Sequence, residues 1–263
     1  MNKTWKIFKY SFLDLLRSKW TIFYVLFFLL ITFSLLYFSS DLPKAIVSLL
    51  NIVVVLVPLI STMLGVIYYY NVQEFLVLLL SQPIKRSNVF LGQYLGLVSS
   101  LIIAIIIGMG VPFLIYGIHI SSEVWNFGML LFVGILLSFI FSGIAFLIAA
   151  SNSNKIKGFG YAIGFWLFMA VIYDGLFLLI LLLFHEYPLE KASMVISGFN
   201  PIDLSRTLMM LKLDIAALLG YTGAVFRKLF GTGQGMILAC TALIVWAVIP
   251  IWLILKKTRS KDF

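Results

Sequence analysis

The chain has 263 residues, 62% of them apolar and 16% aromatic, with only 11% charged and a mean hydropathy of +1.11. That balance excludes an ordinary water-soluble core and describes an integral membrane protein. Nineteen Lys and Arg against ten Asp and Glu leave a net charge of +9, but these cations sit dispersed at the ends of apolar runs, where topology and anionic lipid account for them, so no nucleic-acid partner is expected.

Ahead of the first apolar run, Trp5, Phe8, Phe12, Leu15 and Leu16 recur at helical spacing opposite Lys3, Lys6 and Lys9. This pattern predicts an N-terminal amphipathic interfacial helix on the cytoplasmic membrane face, either an anchor or a grip on a partner. Residues 20–38 then carry no charge. A hydrocarbon core of about 30 Å needs about 20 helical residues, and a helix satisfies its own backbone hydrogen bonds there. The run is too long for a signal-peptide core and is read as an uncleaved anchor. Further spans are predicted at 48–70, 90–118, 127–150, 158–184 and 236–255. The expectation is an all-α membrane protein of six transmembrane helices, forming one domain over residues 1–263.

An even number of spans puts both termini on one side. Lys3, Lys6, Lys9, Arg17, Lys19, Lys85, Arg86, Lys155, Lys157, Lys256, Lys257, Arg259 and Lys261 share that side, against six Lys and Arg on the other. The positive-inside rule makes the termini cytoplasmic.

Between the second and third spans, residues 72–89 join Glu74 and a short apolar helix to Ser81, Pro83 and Arg86. A rigid amphipathic lever between two spans can receive mechanical work. Deep in the fifth span lie Tyr173 and Asp174, and a carboxylate within a span must face protein or water. It serves either a packing contact or a point on a translocation route, and no basic residue of another span is available to pair with it. Gly158, Gly160, Gly164, Gly108 and Gly110 fit close helix packing. Residues 185–235 form the one long segment outside the spans. Its apolar run Ile215 to Phe226 is too short to cross, and Asn200-Pro201 is read as a turn before a helix capped by Asp203 and running through Leu213, on the outer surface.

No G-x-x-x-x-G-K-[ST] motif occurs, so this chain holds no ATP by a P-loop. His119 and His185 lack any metal-hydrolase spacing. Met194, Met209, Met210 and His185 are soft enough for Cu(I), but adjacent methionines diverge by about 100° on a helix and are ordinary apolar filler, so no metal site is assigned. Cys240, inside the last span, has no disulfide partner.

The stretch from Glu74 to Arg86, E-(x)4-LL-S-x-P-(x)2-R, resembles the coupling region of ABC-2 type permeases. That resemblance implies a six-helix subunit pairing as a homodimer above two cytoplasmic ATPase subunits, which hold the ATP and Mg, so that this chain binds no cofactor and is not itself an enzyme. It would place Glu74, Phe75, Leu76, Leu78, Leu79 and Ser81 at the ATPase contact, with Pro83 and Arg86 at re-entry into the membrane. The run Asn200-Pro201-Ile202-Asp203-Leu204-Ser205-Arg206, with Leu213 to Phe226, resembles the NosY permeases, which serve copper-site maturation of nitrous oxide reductase. It implies a bacterial inner membrane location, a NosF-like ATPase below, a NosD-like periplasmic protein above meeting Asn200, Pro201, Asp203 and Arg206, and a cargo related to sulfur or copper or else mechanical work on that partner. The rivals are an ABC-2 exporter of another cargo, such as a lipid, a toxin or a gliding-motility component, and an ion-driven secondary transporter, against which stands the lack of duplicated broken spans.

Overall fold

The computed structural model describes residues 3–39, 41–81, 84–184, 195–213 and 221–260. Pro83, His185, Met194, Asp214 and the run from Ile215 to Gly220 lie outside the described residues. Among the described residues all regular structure is helical. The elements are α1 (Lys3–Leu16), α2 (Lys19–Phe38), α3 (Leu42–Asn71), α4 (Gln73–Leu80), α5 (Arg86–Ile115), α6 (Val124–Ser151), α7 (Lys155–Leu167), α8 (Tyr173–Leu183), α9 (Pro201–Lys212) and α10 (Tyr221–Ser260). Among the described residues six helices are long and apolar enough to cross a membrane, as the hydropathy predicts; α7 and α8 together supply the fifth, joined by a π turn at Phe168–Ile172.

α3, α5 and α6 form the centre, and α2, α7–α8 and α10 surround it. The apolar window of α6 is 61% buried and that of the fifth span only 11%. A helix that is apolar all round but barely covered by its own chain must meet lipid or another subunit. At the centre, Tyr94 donates its hydroxyl to the Phe139 carbonyl at 2.8 Å, which satisfies a buried polar group in apolar surroundings. The Trp166 indole does the same for α7, donating to the Val55 carbonyl of α3 at 3.2 Å.

α1 does more than lie on a membrane surface. Its face Ile7, Ser11 and Leu15 is buried, and it packs along α5. The backbones come close at two glycines: a Cβ on Gly96 would stand 2.7 Å from Ser11 Cβ and 3.0 Å from the Phe12 nitrogen, and one on Gly92 would stand 2.9 Å from Ile7 Cγ2. The predicted aromatic stripe exists beside this face, with Trp5 and Phe8 stacked at 5.0 Å and Phe8 and Phe12 at 5.8 Å. Trp5 remains exposed. The helix thus has a docking face and a separate aromatic flank.

Residues 195–213 correct the expectation of structure resting on the outer surface. The Trp246 indole of α10 donates to the Gly198 carbonyl at 3.0 Å, and Asn200 Nδ2 donates to the Met169 carbonyl in the π turn at 2.9 Å. Trp246 and Met169 belong to the apolar spans, so this segment reaches into the bundle, and α9 lies against α10, α6 and α3. Irregular backbone at such depth persists where protein surrounds it and its polar groups are paired.

Candidate functional site

Two places on the chain join its spans to something else, the helix α4 at one end and the polar cluster around Arg206 at the other. α4 continues α3 across a single residue. Val72 (φ −94°, ψ 5°) donates its N–H to the Tyr68 carbonyl at 3.0 Å, and its own carbonyl accepts from Leu76 at 2.8 Å. Hydrogen bonding therefore runs nearly unbroken from the span into the lever. Leu76 is buried, the Phe75 ring lies 5.4 Å from that of Tyr10 on α1, and the Ser81 hydroxyl donates to the Leu78 carbonyl at 2.8 Å. Glu74, Val77 and Leu78 face outward, with Leu78 65% exposed and Val77 58%. Leu79 is half-buried and Arg86, which opens α5, is exposed. A short helix held on one side and apolar on its free side can receive a groove on a partner.

At the other cluster, Arg206 Nη1 lies 3.2 Å from Asp174 Oδ2 and 3.4 Å from Asp203 Oδ1. The cation comes from no other span, as expected, but from α9, 32 residues further on and outside the six apolar spans. The Tyr173 hydroxyl donates to the Ile196 carbonyl, tying α8 to the same segment. Burial, and then the neighbouring Asp174 carboxylate, push the Asp203 carboxyl on α9 up to about 7, with Arg206 opposing.

The cap of α9 also differs from expectation. Asn200 accepts from the Ile202 N–H at 3.0 Å, and Pro201 occupies the first turn. Proline has no N–H to lose there and its fixed φ suits the position, so Asn200 caps and Asp203 becomes a first-turn acid. Asn200, Pro201 and Asp203 are buried within the chain rather than presented to a periplasmic partner, and Arg206 is partly covered with them. The sequence reading missed the link because Asp174 and Arg206 fall in segments assigned to different environments. The Asp203–Arg206 spacing of three, one helical turn, was the one local signal of a charged face.

Met209 and Met210 are buried apolar side chains on α9. Among the described residues no group of three or more His, Cys, Asp and Glu could hold a metal ion.

No family model matches the chain. It is 26% identical to the probable ABC transporter permease protein NosY of Stutzerimonas stutzeri over 274 aligned positions, covering 96% of this chain and 94% of the relative. With the probable ABC transporter permease protein NosY of Pseudomonas aeruginosa it shares 27% identity over 233 positions, 82% of this chain and 85% of that protein. With six apolar helices of spanning length among its described residues and a short, partly exposed apolar helix after the second, the chain is similar along nearly its full length to proteins named as probable ABC transporter permeases NosY.

Proposed function

We propose that this chain is the membrane subunit through which a separate ATPase drives work across a bacterial inner membrane. The observation that carries the reading is α4, whose free face is apolar while its backbone continues from α3 and its other side packs on α3, α5 and α1. ATP and Mg belong to the partner, a NosF-like subunit that seats α4 through Glu74, Leu78 and their neighbours, and this chain carries no catalytic group of its own. Both termini are cytoplasmic. Two copies form the subunit pair, and the thinly covered fifth span offers apolar surface for a second copy.

On the outer side the output serves copper-site maturation of nitrous oxide reductase, either by passing a sulfur- or copper-related cargo or by pulling on a NosD-like protein. The Arg206–Asp174 link suits either, because it ties α9 to a span that a movement of α4 and α3 would carry along. The test is co-purification with the ATPase subunit. Glu74→Lys and Leu78→Asp should each abolish it while membrane insertion stays intact, since both side chains lie on the exposed side of α4. Undiminished co-purification and ATPase activity in both variants would overturn the reading, and formation of copper-loaded reductase reports separately on the pathway.

A further inference from the structure

Next to the α1–α2 junction the bundle opens into a two-part groove. One part, of about 350 Å³, is lined by Asp14, Arg17, Ser18, Tyr68 and Asn71 among others. The other, of about 280 Å³, runs along α2 and α3 between Phe23, Phe27, Leu59, Ile60 and Met63, and its lining is wholly apolar. Trp20, Leu64 and Ile67 line both parts, so the two adjoin. The groove exists because α2 leans mainly on α5 and touches α3 little.

The two ends differ in chemistry as the two ends of a phospholipid do. At the apolar end Phe23 is 67% exposed, so this part opens sideways toward the surface that the spans present to lipid. The polar end lies where α1 gives way to α2 and α3 to α4, beside an exposed Trp20 of the kind that marks a membrane–water interface. Its two charges have opposite sign. Asp14 stands in the last turn of α1 and Arg17 just beyond its end, and both line this part of the groove. Both are exposed, and among the described residues no ion pair joins them.

We propose that this groove binds a phosphatidylethanolamine molecule, with one acyl chain in the apolar part, its phosphate at Arg17 and its ammonium at Asp14. A purely anionic headgroup would leave Asp14 facing negative charge. A choline headgroup has no N–H to donate to the carboxylate. The occupant would touch Asn71 and Val72, where the span α3 turns into α4, so it would brace the lever from behind. The proposal is independent of which ATPase or cargo the permease serves.

The experiment is native mass spectrometry of the full-length, delipidated permease titrated with phosphatidylethanolamine, phosphatidylglycerol and phosphatidylcholine of the same acyl chains. Phosphatidylethanolamine should bind at least about threefold tighter than either competitor, the scale of one partly screened charge contact. Asp14→Asn should erase its advantage over phosphatidylcholine, and Arg17→Gln should weaken all three lipids. Both positions are exposed, so neither change threatens folding. Ile60→Trp, which fills the apolar part, should lower retention of every lipid without changing their order. Equal binding of the three lipids, a preference for phosphatidylglycerol, or a phosphatidylethanolamine preference that survives Asp14→Asn would each overturn the assignment.

Discussion

Arg206 Nη1 sits 3.2 Å from Asp174 Oδ2, joining a short buried helix to the fifth apolar span through one ion pair. Asp203 at 3.4 Å supplies a second carboxylate, so one guanidinium holds two acids together. Removing the cation is therefore worse than removing either acid. Arg206→Leu should lower stability by about 2–3 kcal/mol, below the usual figure for a fully buried pair because these side chains remain 28% and 29% exposed. Thermal unfolding in detergent measures this. Asp174→Asn should cost less, since Arg206 keeps Asp203, and an Asp174→Asn variant less stable than Arg206→Leu would contradict the arrangement.

Asn200 has two jobs, accepting from the Ile202 N–H and donating to the Met169 carbonyl. Asn200→Ala should lose about 1 kcal/mol for the cap and about 1 kcal/mol more for the lost hydrogen bond to the Met169 carbonyl. The loss should appear as a lower melting temperature and faster proteolysis near residues 195–213. A melting temperature equal to that of the parent chain would show that the segment does not seat on the π turn.

Gly96→Val should loosen α1 from α5, because the new side chain would meet the Phe12 backbone nitrogen and Ser11 Cβ. Overpacking of this kind costs about 1–3 kcal/mol. A cysteine at Ser11, buried in the parent structure, should become reactive to a water-soluble maleimide in the Gly96→Val background. Gly110→Ala, with nothing within 4 Å of its Cβ, is the matched control and should leave labelling unchanged.

Cysteine labelling also tests topology, with positions chosen by exposure. Lys212 is exposed at the end of α9, whereas Ser205 is buried. Lys212→Cys should react with an impermeant reagent from the outer compartment. Ser205→Cys should stay unreactive from both sides until the protein is denatured. Reaction of Lys212→Cys only from the cytoplasm would mean that the number of spans before it is even, not the five read here.

Number, place and class of the spans were legible in the sequence because hydropathy is a local property: each apolar window must be helical in lipid whatever its neighbours do. The lever at Glu74 to Ser81 was legible for a similar reason, a short apolar run isolated between two spans. Which face of that run stays free was not, since Leu76 is buried and Leu78 exposed only after α3, α5 and α1 have packed around them. Glycine counting met the same limit. Of the glycines expected to serve close packing, Gly158 abuts Tyr70 and Gly108 abuts Phe28, while Gly110, Gly160 and Gly164 meet nothing. The partner of Asp174 lay furthest from view. Its cation stands on a helix that polarity alone assigned to the outer surface, and what brings α9 inward is the pairing of its polar groups with Met169, Trp246 and Asp174. Polarity of a segment records how much hydrogen bonding it needs, and only the packed bundle decides whether water or protein supplies it.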